Sequence, residues 1–502
     1  MTRVVLFRPG DERALPNELA SESVDAFTRQ LERAVIRLGH TPTTIEGFLT
    51  SPADAIETLS GIDEPVIGVF AHWVYAPHTT DGVAGSDAPL LLASNFDGTW
   101  PGLVGLLNTG ASLTSLGRRH GRIWSSAPDV SDDTSFLEQL DAWIRTGQIV
   151  YDDTAIRPAM PVPLSQQARG VLASMRARRP LAVMFGDTSM GMINGCFGAL
   201  RLSRVGFAEH KIDQAWIIEE GRAIDERRIE DAVRFVHDRG VTFHYADDFT
   251  PEATRNQLRD YLAVLDLARD ARADCIGWQY QLGLIRSLPP SDFAEGLLNS
   301  ACRPESNGST IATATEADQG NLLPMELLKR LLVAHGYHES VAFHDVRWGA
   351  EHDGRFIWLL LNSGSAGSYA FNHEPDSLKG VHSSRQPRAY FPIPGGTFTG
   401  ESLPGRITWA RAWIDGHHDG RDDLVMDVGR GEVVQLPPAV RDDWWNSTTP
   451  EWPFMAADLG IGRDDLMAHY QSNHIAVAYG DVFDDMVALS LALGFRVRVL
   501  HR

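Results

Sequence analysis

The stretch IATATEADQGNLLPMELLKRLL, residues 311–332, joins a predicted strand directly to a predicted helix. The run of small apolar residues and threonines from Ile311 to Thr315 is typical of a short strand, and the apolar residues after it recur at helical spacing. Two acids, Glu316 and Asp318, lie at the junction. Strands that alternate with helices in this way predict an α/β fold.

Helix capping is one explanation for the two acids. Thr315 followed three residues later by Asp318 resembles a capping box. Acids in a first helical turn also interact favourably with the helix dipole, by about 0.3–1 kcal/mol each. The other explanation is a ligand site, because ligands of α/β folds gather at the carboxyl ends of strands. The stretch by itself leaves both explanations open.

Short apolar runs alternate with helical patterns over the first two thirds of the chain, which predicts parallel sheets with crossover helices. The predicted strands are VVLF (4–7), VIGVF (66–70), RIWSS (122–126), LAVMFG (181–186), QAWIIEE (214–220) and CIGWQYQ (275–281). The predicted helices span 21–38, 103–117, 224–239 and 251–272.

After about residue 340 the pattern changes to shorter β-like runs, with a helix and a strand at the end. These runs are VAFHDV (341–346), FIWLLLN (356–362), RITWARAW (406–413), DLVMDVG (423–429) and EVVQLP (432–437). A polar, proline-containing stretch at 152–165 is a plausible boundary. We therefore predict three domains: an N-terminal α/β domain at 1–172, a second α/β domain at 173–337 and a β-rich domain at 338–502.

Composition excludes several classes of partner and site. The net charge of −21 argues against nucleic acid and anionic membranes, which both require a basic face. Cys196, Cys275 and Cys302 lie far apart, so neither a disulfide framework nor a thiolate metal site is expected. The first residues start a strand without a leader, and no apolar run approaches 18 residues, which predicts a cytoplasmic protein.

Several familiar motifs are missing or ambiguous. The glycine-containing segment DTSMGMINGCFG (187–198) follows a strand but matches neither GxGxxG nor GxxxxGK[ST], so we expect it to shape a pocket rather than bind a nucleotide. No G-x-S-x-G elbow and no HEXXH motif are present. The tryptophans of WW (444–445) and WPF (452–454) suit sugar stacking and core packing equally.

Two further segments carry hard metal ligands. VAFHDVRWG (341–349) contains His344, Asp345 and Arg347, and YQSNHIAVAYG (470–480) contains Asn473 and His474. A histidine at the end of a strand is more often structural than a ligand. Two carboxylates with one imidazole would suit Mn²⁺, whereas all-oxygen ligation would suggest Mg²⁺ or Ca²⁺ and thiolates would suggest Zn²⁺. The spacing of these segments along the sequence does not show that they lie near Glu316 in the fold.

An ordered series of motifs along nearly the whole chain resembles the L-fucose isomerase family, the wider group that also contains L-arabinose isomerases. The strongest matches are DFAEGLLNS (292–300), ATEAD (314–318), DVR (345–347), LNSGSA (361–366) and the Asn-His pair at 473–474. Weaker ones are HWVY (72–75), FDGTWPG (96–102), FGDTSMGM (185–192), HKIDQAWI (210–217), GWQYQ (277–281) and NSTTPEW (446–452).

The resemblance implies an isomerase that interconverts an open-chain aldose and its ketose. A divalent cation, usually Mn²⁺, would be bound by Glu316, Asp345 and His474. It would act as a Lewis acid on O1 and O2 of a cis-enediolate. Glu316 and Asp345 would also be the acid and base that move a proton between C2 and C1. The resemblance does not determine whether Glu316 or Asp345 is the base.

The family pattern implies further roles and an architecture. Trp73, Gln279, Asn473, Ser189 and Met190 would contact the sugar, and Asp318 would orient a metal ligand from behind. Two Rossmann-like α/β domains would precede a β-rich, barrel-like domain, with the site between the second and third domains and close to a neighbouring subunit. A homo-oligomer is expected, since members of the family are oligomers and often hexamers.

The chain departs from the family around the sugar. The arginine-rich N-terminal stretch is replaced by RPGDERALPNE (8–18), Trp100 replaces the usual charged pair, Leu282–Leu284 replace a basic and aromatic patch, and Thr397 or Phe398 replaces a tyrosine. These changes affect the substrate more than the reaction. L-Fucose or D-arabinose is the first expectation, and a C6-modified aldose such as a sulfonated hexose is the alternative. A metal-dependent epimerase or lyase and a non-catalytic sugar-binding homologue are the competing classes.

Overall fold

The computed structural model describes residues 1–188, 190–418 and 423–500. Its strands are β1 (Arg3–Phe7), β2 (Thr41–Thr44), β3 (Val66–Phe70), β4 (Leu90–Asn95), β5 (Gly121–Ser125), β6 (Ile156–Pro158), β7 (Leu181–Phe185), β8 (Ala208–Ile212), β9 (Thr242–Phe243), β10 (Cys275–Trp278), β11 (Ala312–Thr315), β12 (Val341–His352), β13 (Arg355–Leu361), β14 (His382–Ser383), β15 (Gly405–Ile414), β16 (Leu424–Val433), β17 (Met455–Asp458), β18 (His474–Tyr479) and β19 (Arg496–Leu500).

The α-helices separate these strands through most of the chain. They are α1 (Ala14–Arg37), α2 (Pro52–Leu59), α3 (Pro77–Val83), α4 (Gly102–Ser115), α5 (Thr134–Thr146), α6 (Gln166–Ala177), α7 (Gly198–Arg204), α8 (Ala215–Ala223), α9 (Glu226–Asp238), α10 (Pro251–Ala271), α11 (Asp292–Leu298), α12 (Gln319–Ala334), α13 (Tyr369–Asn372), α14 (Pro438–Asn446), α15 (Arg463–His469) and α16 (Phe483–Leu493).

The first two sheets are parallel, as the alternating pattern predicts. The N-terminal sheet has the order β2-β1-β3-β4-β5, and every neighbouring pair in it is parallel. The second has the order β11-β10-β7-β8 and is also parallel. Glu316 follows β11 directly, so it lies at the carboxyl end of a parallel strand, where α/β folds place their ligands.

The third sheet closes on itself. Its strands follow the order β15-β18-β12-β13-β17-β16, and a further pairing joins β16 back to β15. All six pairings are antiparallel, so these strands form a closed barrel without a free edge. The predicted fold class, two α/β units followed by a barrel-like β-rich region, is confirmed. β19 extends the sheet in parallel to β16, and β6, at Ile156–Pro158, pairs with β19 although it lies in the first predicted domain.

Three local predictions were wrong. QAWIIEE belongs to helix α8, in which Ile217 and Gly221 are buried four residues apart, a helical spacing. DLVMDVG continues as the single strand β16 to Val433, so EVVQLP contributes only its first two residues and is not a separate strand. Thr315 belongs to β11, and Asp318 is the residue that caps α12, so the capping box is not formed.

Cys196, Cys275 and Cys302 are free thiols. Among the described residues, no helix is long and apolar enough to cross a membrane.

Candidate metal centre

Asp345 and His474 lie on neighbouring strands of the barrel. The antiparallel pairing of β12 with β18 places the two residues directly opposite each other. Nε2 of His474 lies 3.0 Å from Oδ1 of Asp345. These residues are 129 positions apart in sequence, and only the barrel register brings them together.

Glu316 reaches the same point from the second sheet. Its Oε2 atom lies 3.6 Å from Nε2 of His474, and its side chain is 13 % exposed. The backbone of Glu316 and Ala317 is left-handed, with φ angles of 60° and 53°. Such conformations cost of the order of 1–3 kcal/mol each in a residue other than glycine, and they concentrate at functional sites. The turn aims the carboxylate towards the barrel instead of along the helix.

Asp318 has two functions with its two oxygens. Oδ1 accepts a hydrogen bond from the backbone N–H of Asn321 and so caps α12. Oδ2 lies 2.6 Å from Nδ1 of His474. Because Nδ1–H donates to Asp318, the other ring nitrogen, Nε2, faces Asp345 and Glu316. Helix capping is therefore confirmed for Asp318, and its bond to His474 is what the predicted support of a metal ligand would require.

Arg411 completes this arrangement and was not predicted from the sequence. Its guanidinium, which is fully buried, forms an ion pair with Oδ2 of Asp318. Burial favours the neutral form of Asp318, but Arg411 and the hydrogen bond from His474 hold the pKa of that carboxyl well below its usual range. Arg411 lies in the middle of an apolar run that is typical of a strand. Nothing in that run indicates that Arg411 pairs with Asp318.

The charges at this point are strongly coupled. Burial raises the pKa of Glu316 to about 8; His474 opposes the rise, whereas Asp345 and Asp318 add to it. Burial disfavours the imidazolium of His474, but Asp345 and Asp318 outweigh it and raise its pKa to about 10. Glu316 and His474 thus both tend to keep a proton, because several acids lie close to them. Binding of a cation would release these protons.

The donor set fits a divalent cation of intermediate hardness, since it combines two carboxylates with an imidazole. The 3.0 Å and 3.6 Å separations from His474 are close to the spacing of about 3 Å between neighbouring ligands whose bonds to a metal are about 2.1 Å long. The side chains are adjacent, but they are not arranged to bind a metal ion in the observed conformation. No group of three His, Cys, Asp or Glu residues in the described ranges could hold one. Small side-chain rotations would be required.

A cavity opens in front of these three residues. Residues from all three sheet regions of this one chain line it. They are Arg13, Trp73, Pro101, Val104, Met190, Gln281, Glu316, Asp345, Arg347, Ser363, Tyr390, Phe391, Trp452, Asn473 and His474. The N-terminal region of this chain therefore contributes residues to the cavity wall.

Most of the predicted sugar contacts lie at this cavity. Trp73, Met190 and Asn473 line it. Gln279 does not; its Oε1 atom accepts a hydrogen bond from Nε2 of Gln214 at 2.9 Å, and Gln281 of the same motif faces the cavity instead. Ser189 lies outside the described residues.

The glycine-containing segment at 187–198 shapes the pocket, as expected from its lack of a phosphate-binding motif. Met190 from this segment lines the cavity with a left-handed backbone, at a φ angle of 51°. Gly195 packs against Asp318, and a Cβ atom there would lie 2.6 Å from Oδ1 of that residue. A larger residue at 195 would displace the carboxylate that orients His474.

Several lining residues hold polar atoms that are buried and have no partner in the described part of the chain. They are Nε1 of Trp73, Oε2 of Glu316, Nε of Arg347 and Oδ1 of Asn473. Buried polar atoms are nearly always hydrogen-bonded in native proteins, so these four atoms are free to bind a polar ligand. Donors and acceptors are both present, which suits a polyol.

Sequence reasoning missed other residues of the cavity. Tyr390 and Trp452 stand on loops, and only the tryptophan had been noted as a residue for sugar stacking or core packing. Core packing is confirmed for Trp444, which is buried in an apolar cluster, whereas Trp452 lines the cavity and its stacking on a sugar stays a prediction. Thr397 and Phe398, expected to replace a family tyrosine, are buried away from the cavity, which Tyr390 lines instead. Arg13 lies within the N-terminal segment that departs from the family.

Comparison with known families identifies the C-terminal part of the chain. Residues 360–501 match the family described as L-fucose isomerase, C-terminal domain. The matched region contains Arg411, Asn473 and His474, and it ends before the last residue of the chain. The predicted resemblance is confirmed over this region and is consistent with an L-fucose isomerase family member. A comparison with curated protein sequences gave no match.

Proposed function

We propose that the protein is a metal-dependent aldose–ketose isomerase, on the premise that residues 360–501 match the family described as L-fucose isomerase, C-terminal domain. Its substrate would be an open-chain aldose, in the first instance one related to L-fucose or D-arabinose. The reaction would move one proton from C2 to C1 through a cis-enediolate. Glu316 and Asp345 lie outside the matched region. Their proposed roles depend on the geometry of the site.

One observation supports the proposal above all others. Glu316, Asp345 and His474 come from three separate segments and meet at one cavity, beside polar atoms that lack partners. Two carboxylates beside the position of a substrate provide both a base and an acid for proton transfer. An imidazole held by Asp318 adds a third donor of fixed orientation.

The same three residues would hold the divalent cation, for which we propose Mn²⁺. When bound, such an ion stabilises the negative charge that develops on two neighbouring sugar oxygens. The fit rests on the donor set and on the orientation of His474 by Asp318 and Arg411.

The chain's own residues would handle the proton and the hydroxyl groups. Glu316 and Asp345 would exchange the proton with C2 and C1, one as base and the other as acid. Asn473, whose Nδ2 atom lies 3.4 Å from Oδ1 of Asp345, is placed to bind a hydroxyl beside the reacting carbons. Nε1 of Trp73 offers a second donor, and the indole covers the sugar and excludes water.

An aldose panel tests this function. The protein, loaded with Mn²⁺, is expected to convert at least one aldose of the panel to its ketose, and EDTA is expected to abolish turnover. Added Mn²⁺ should restore turnover, because the protein is expected to stay folded without the ion and its ligand side chains can bind it again. Ketose is measured by NMR or a colorimetric assay, and failure of every aldose would contradict the proposal.

The panel also separates the competing classes. Exchange of the C2 hydrogen with solvent deuterium without net ketose would favour an epimerase. Sugar binding without exchange at C2 would favour a non-catalytic homologue. The expectations of a cytoplasmic homo-oligomer, of a completing neighbouring subunit and of the three domain boundaries remain predictions.

A further inference from the structure

The two tryptophans of the cavity wall differ in what their indole nitrogens bind. Nε1 of Trp73 is buried and has no partner in the described part of the chain. Nε1 of Trp452 donates a hydrogen bond to Oε1 of Gln386 at 2.8 Å. Because an indole has only this one donor, Trp452 lines the cavity with its ring and has no N–H left for a ligand.

Gln386 lies behind the cavity wall, where its side-chain amide is bonded at both ends. The residue is fully buried and is not among those that line the cavity. Its Nε2 donates to the backbone oxygen of Ser363 at 2.7 Å. An indole N–H can only donate and a backbone carbonyl can only accept, so the amide fits between Trp452 and Ser363 in one orientation alone.

The bond from Gln386 acts on the indole of Trp452 and not on its main chain. The backbone N–H of Trp452 donates to the oxygen of Thr449 at 3.0 Å, and its backbone oxygen accepts from Nε1 of Trp445 at 2.8 Å. These two bonds hold the main chain without Gln386. The remaining freedom is the rotation of the side chain, and the hydrogen bond to Gln386 restricts that rotation.

The same amide joins wall segments from distant parts of the chain. Ser363 follows β13, Trp452 precedes β17, and Gln386 belongs to the loop that carries Tyr390 and Phe391. All of these residues except Gln386 line the cavity. The ring centre of Tyr390 lies 6.2 Å from that of Trp452. A rotation of the indole would therefore change the shape of this part of the wall.

We propose that Gln386 is a positioning residue for sugar binding, which holds the indole of Trp452 at the cavity and keeps its N–H away from the substrate. Trp73 would donate to a hydroxyl group, whereas Trp452 would contact carbon-bound hydrogens of the sugar with its ring. This inference rests on the proposed function, which makes the ligand an open-chain sugar. A side chain that is fixed before binding costs less entropy on binding, so the contribution appears in the affinity.

Fluorine NMR of protein labelled with 5-fluorotryptophan tests the positioning without any ligand. The Trp452 signal is assigned by its loss in Trp452→Phe. Gln386→Met keeps the length of the side chain and removes both hydrogen bonds, so we expect it to shift or broaden this signal. Gln386→Asn, which is too short to bond both partners, should act in the same way and serves if Gln386→Met fails to fold.

Gln257→Met is the matched control. Gln257 is also a buried glutamine, and its Nε2 donates to the backbone oxygens of Pro290 at 2.8 Å and Gly396 at 2.9 Å. Neither partner lines the cavity, although Gly396 belongs to the same loop as Gln386. The control should therefore cost stability and leave the Trp452 signal unchanged.

Calorimetric titration measures the effect on sugar binding. L-Fucitol and D-arabinitol, the non-reactive reduced forms of the two aldoses expected first, are titrated into the Mn²⁺-loaded protein. We expect Gln386→Met to weaken binding of the tighter polyol by about 2- to 12-fold, the range that corresponds to one neutral hydrogen bond. Its affinity for Mn²⁺ should not change. In turnover assays the same variant should raise KM and spare kcat, the pattern of lost uniform binding.

A double variant shows whether Gln386 acts through Trp452. Trp452→Phe removes the indole that Gln386 holds. In that background Gln386→Met should weaken polyol binding little further, because two residues that act as one unit are not additive. A residue that acted only through the stability of the fold would add its full effect in either background.

Two results would overturn the inference. One is a Trp452 fluorine signal that both Gln386 variants leave unchanged, or that Gln257→Met alters equally. The other is a loss of polyol affinity that is additive with Trp452→Phe. A protein that shows the expected effects of Gln386 but converts no aldose would keep this role and lose the proposed function, whereas an active isomerase without these effects would keep the function and lose the role.

Discussion

Replacement of Glu316 with glutamine is expected to lower the rate of isomerisation by at least about 10³-fold, because general acid–base catalysis alone contributes about 10²–10⁴-fold and a cation ligand is lost with it. The change keeps the size and shape of the side chain, so the effect would come from the charge. Initial rates of ketose formation with saturating Mn²⁺ measure it.

The same variant should not lose stability. In the folded protein, burial raises the pKa of Glu316 to about 8, so its carboxylate form is disfavoured on folding. An acid of this kind lowers stability as the pH rises through its unfolded pKa of about 4.3 towards the folded value. A neutral glutamine removes that penalty, and the thermal midpoint of metal-free Glu316→Gln at pH 7 should be no lower than that of the wild type.

Glu326→Gln is the matched control for this experiment. Glu326 is a buried glutamate on α12 that bonds Arg330, with Oε1 and Nε 2.6 Å apart. It lies outside the cavity, so its replacement should cost stability and spare the rate. Full activity of Glu316→Gln, or an equal loss of activity in Glu326→Gln, would contradict the assigned role of Glu316.

Replacement of Asp318 with asparagine is expected to weaken Mn²⁺ binding by about 10–100-fold, the usual effect of losing a residue that orients a metal ligand. It should also lower the free energy of unfolding by about 3–5 kcal/mol, because Arg411 would become a buried charge without a partner. Calorimetric titration with Mn²⁺ and denaturant unfolding measure the two effects separately.

A second substitution distinguishes positioning from stability. Arg411→Met in the Asp318→Asn background removes the unpaired charge and should recover much of the lost stability without recovering Mn²⁺ affinity. Asp423→Asn serves as a control, since Asp423 pairs with Arg201 and Arg204 and does not contact the candidate ligands. Recovery of Mn²⁺ affinity in the double variant would show that Asp318 acts through folding alone.

The sequence predicted the alternation of strands and helices and the position of Glu316, because both depend on local patterns. The apolar run at 312–315, the acid after it and the amphipathic helix from Gln319 are all adjacent in the chain. Local pattern failed where a short run was ambiguous. QAWIIEE contains β-favouring residues, but residues 215–220 belong to helix α8, which packs against α10 and buries only Ile217 and Gly221.

The geometry of the site could not be predicted from local pattern. Asp345 and His474 meet through the register of two barrel strands, and Arg411 reaches Asp318 from a third strand. Register depends on the whole barrel and not on either segment. The three candidate ligands were grouped by family resemblance, whereas Arg411, Arg13 and Tyr390 carried no motif that marked them. Their roles depend on burial and on partners distant in sequence.

Anomalous diffraction from crystals of the Mn²⁺-loaded protein tests the central claim most directly. The account predicts one strong anomalous peak within bonding distance of Glu316, Asp345 and His474, with Asp318 outside the coordination shell and bonded to Nδ1 of His474. A peak at any other position, or the absence of a peak at these three residues under conditions that support turnover, would contradict it.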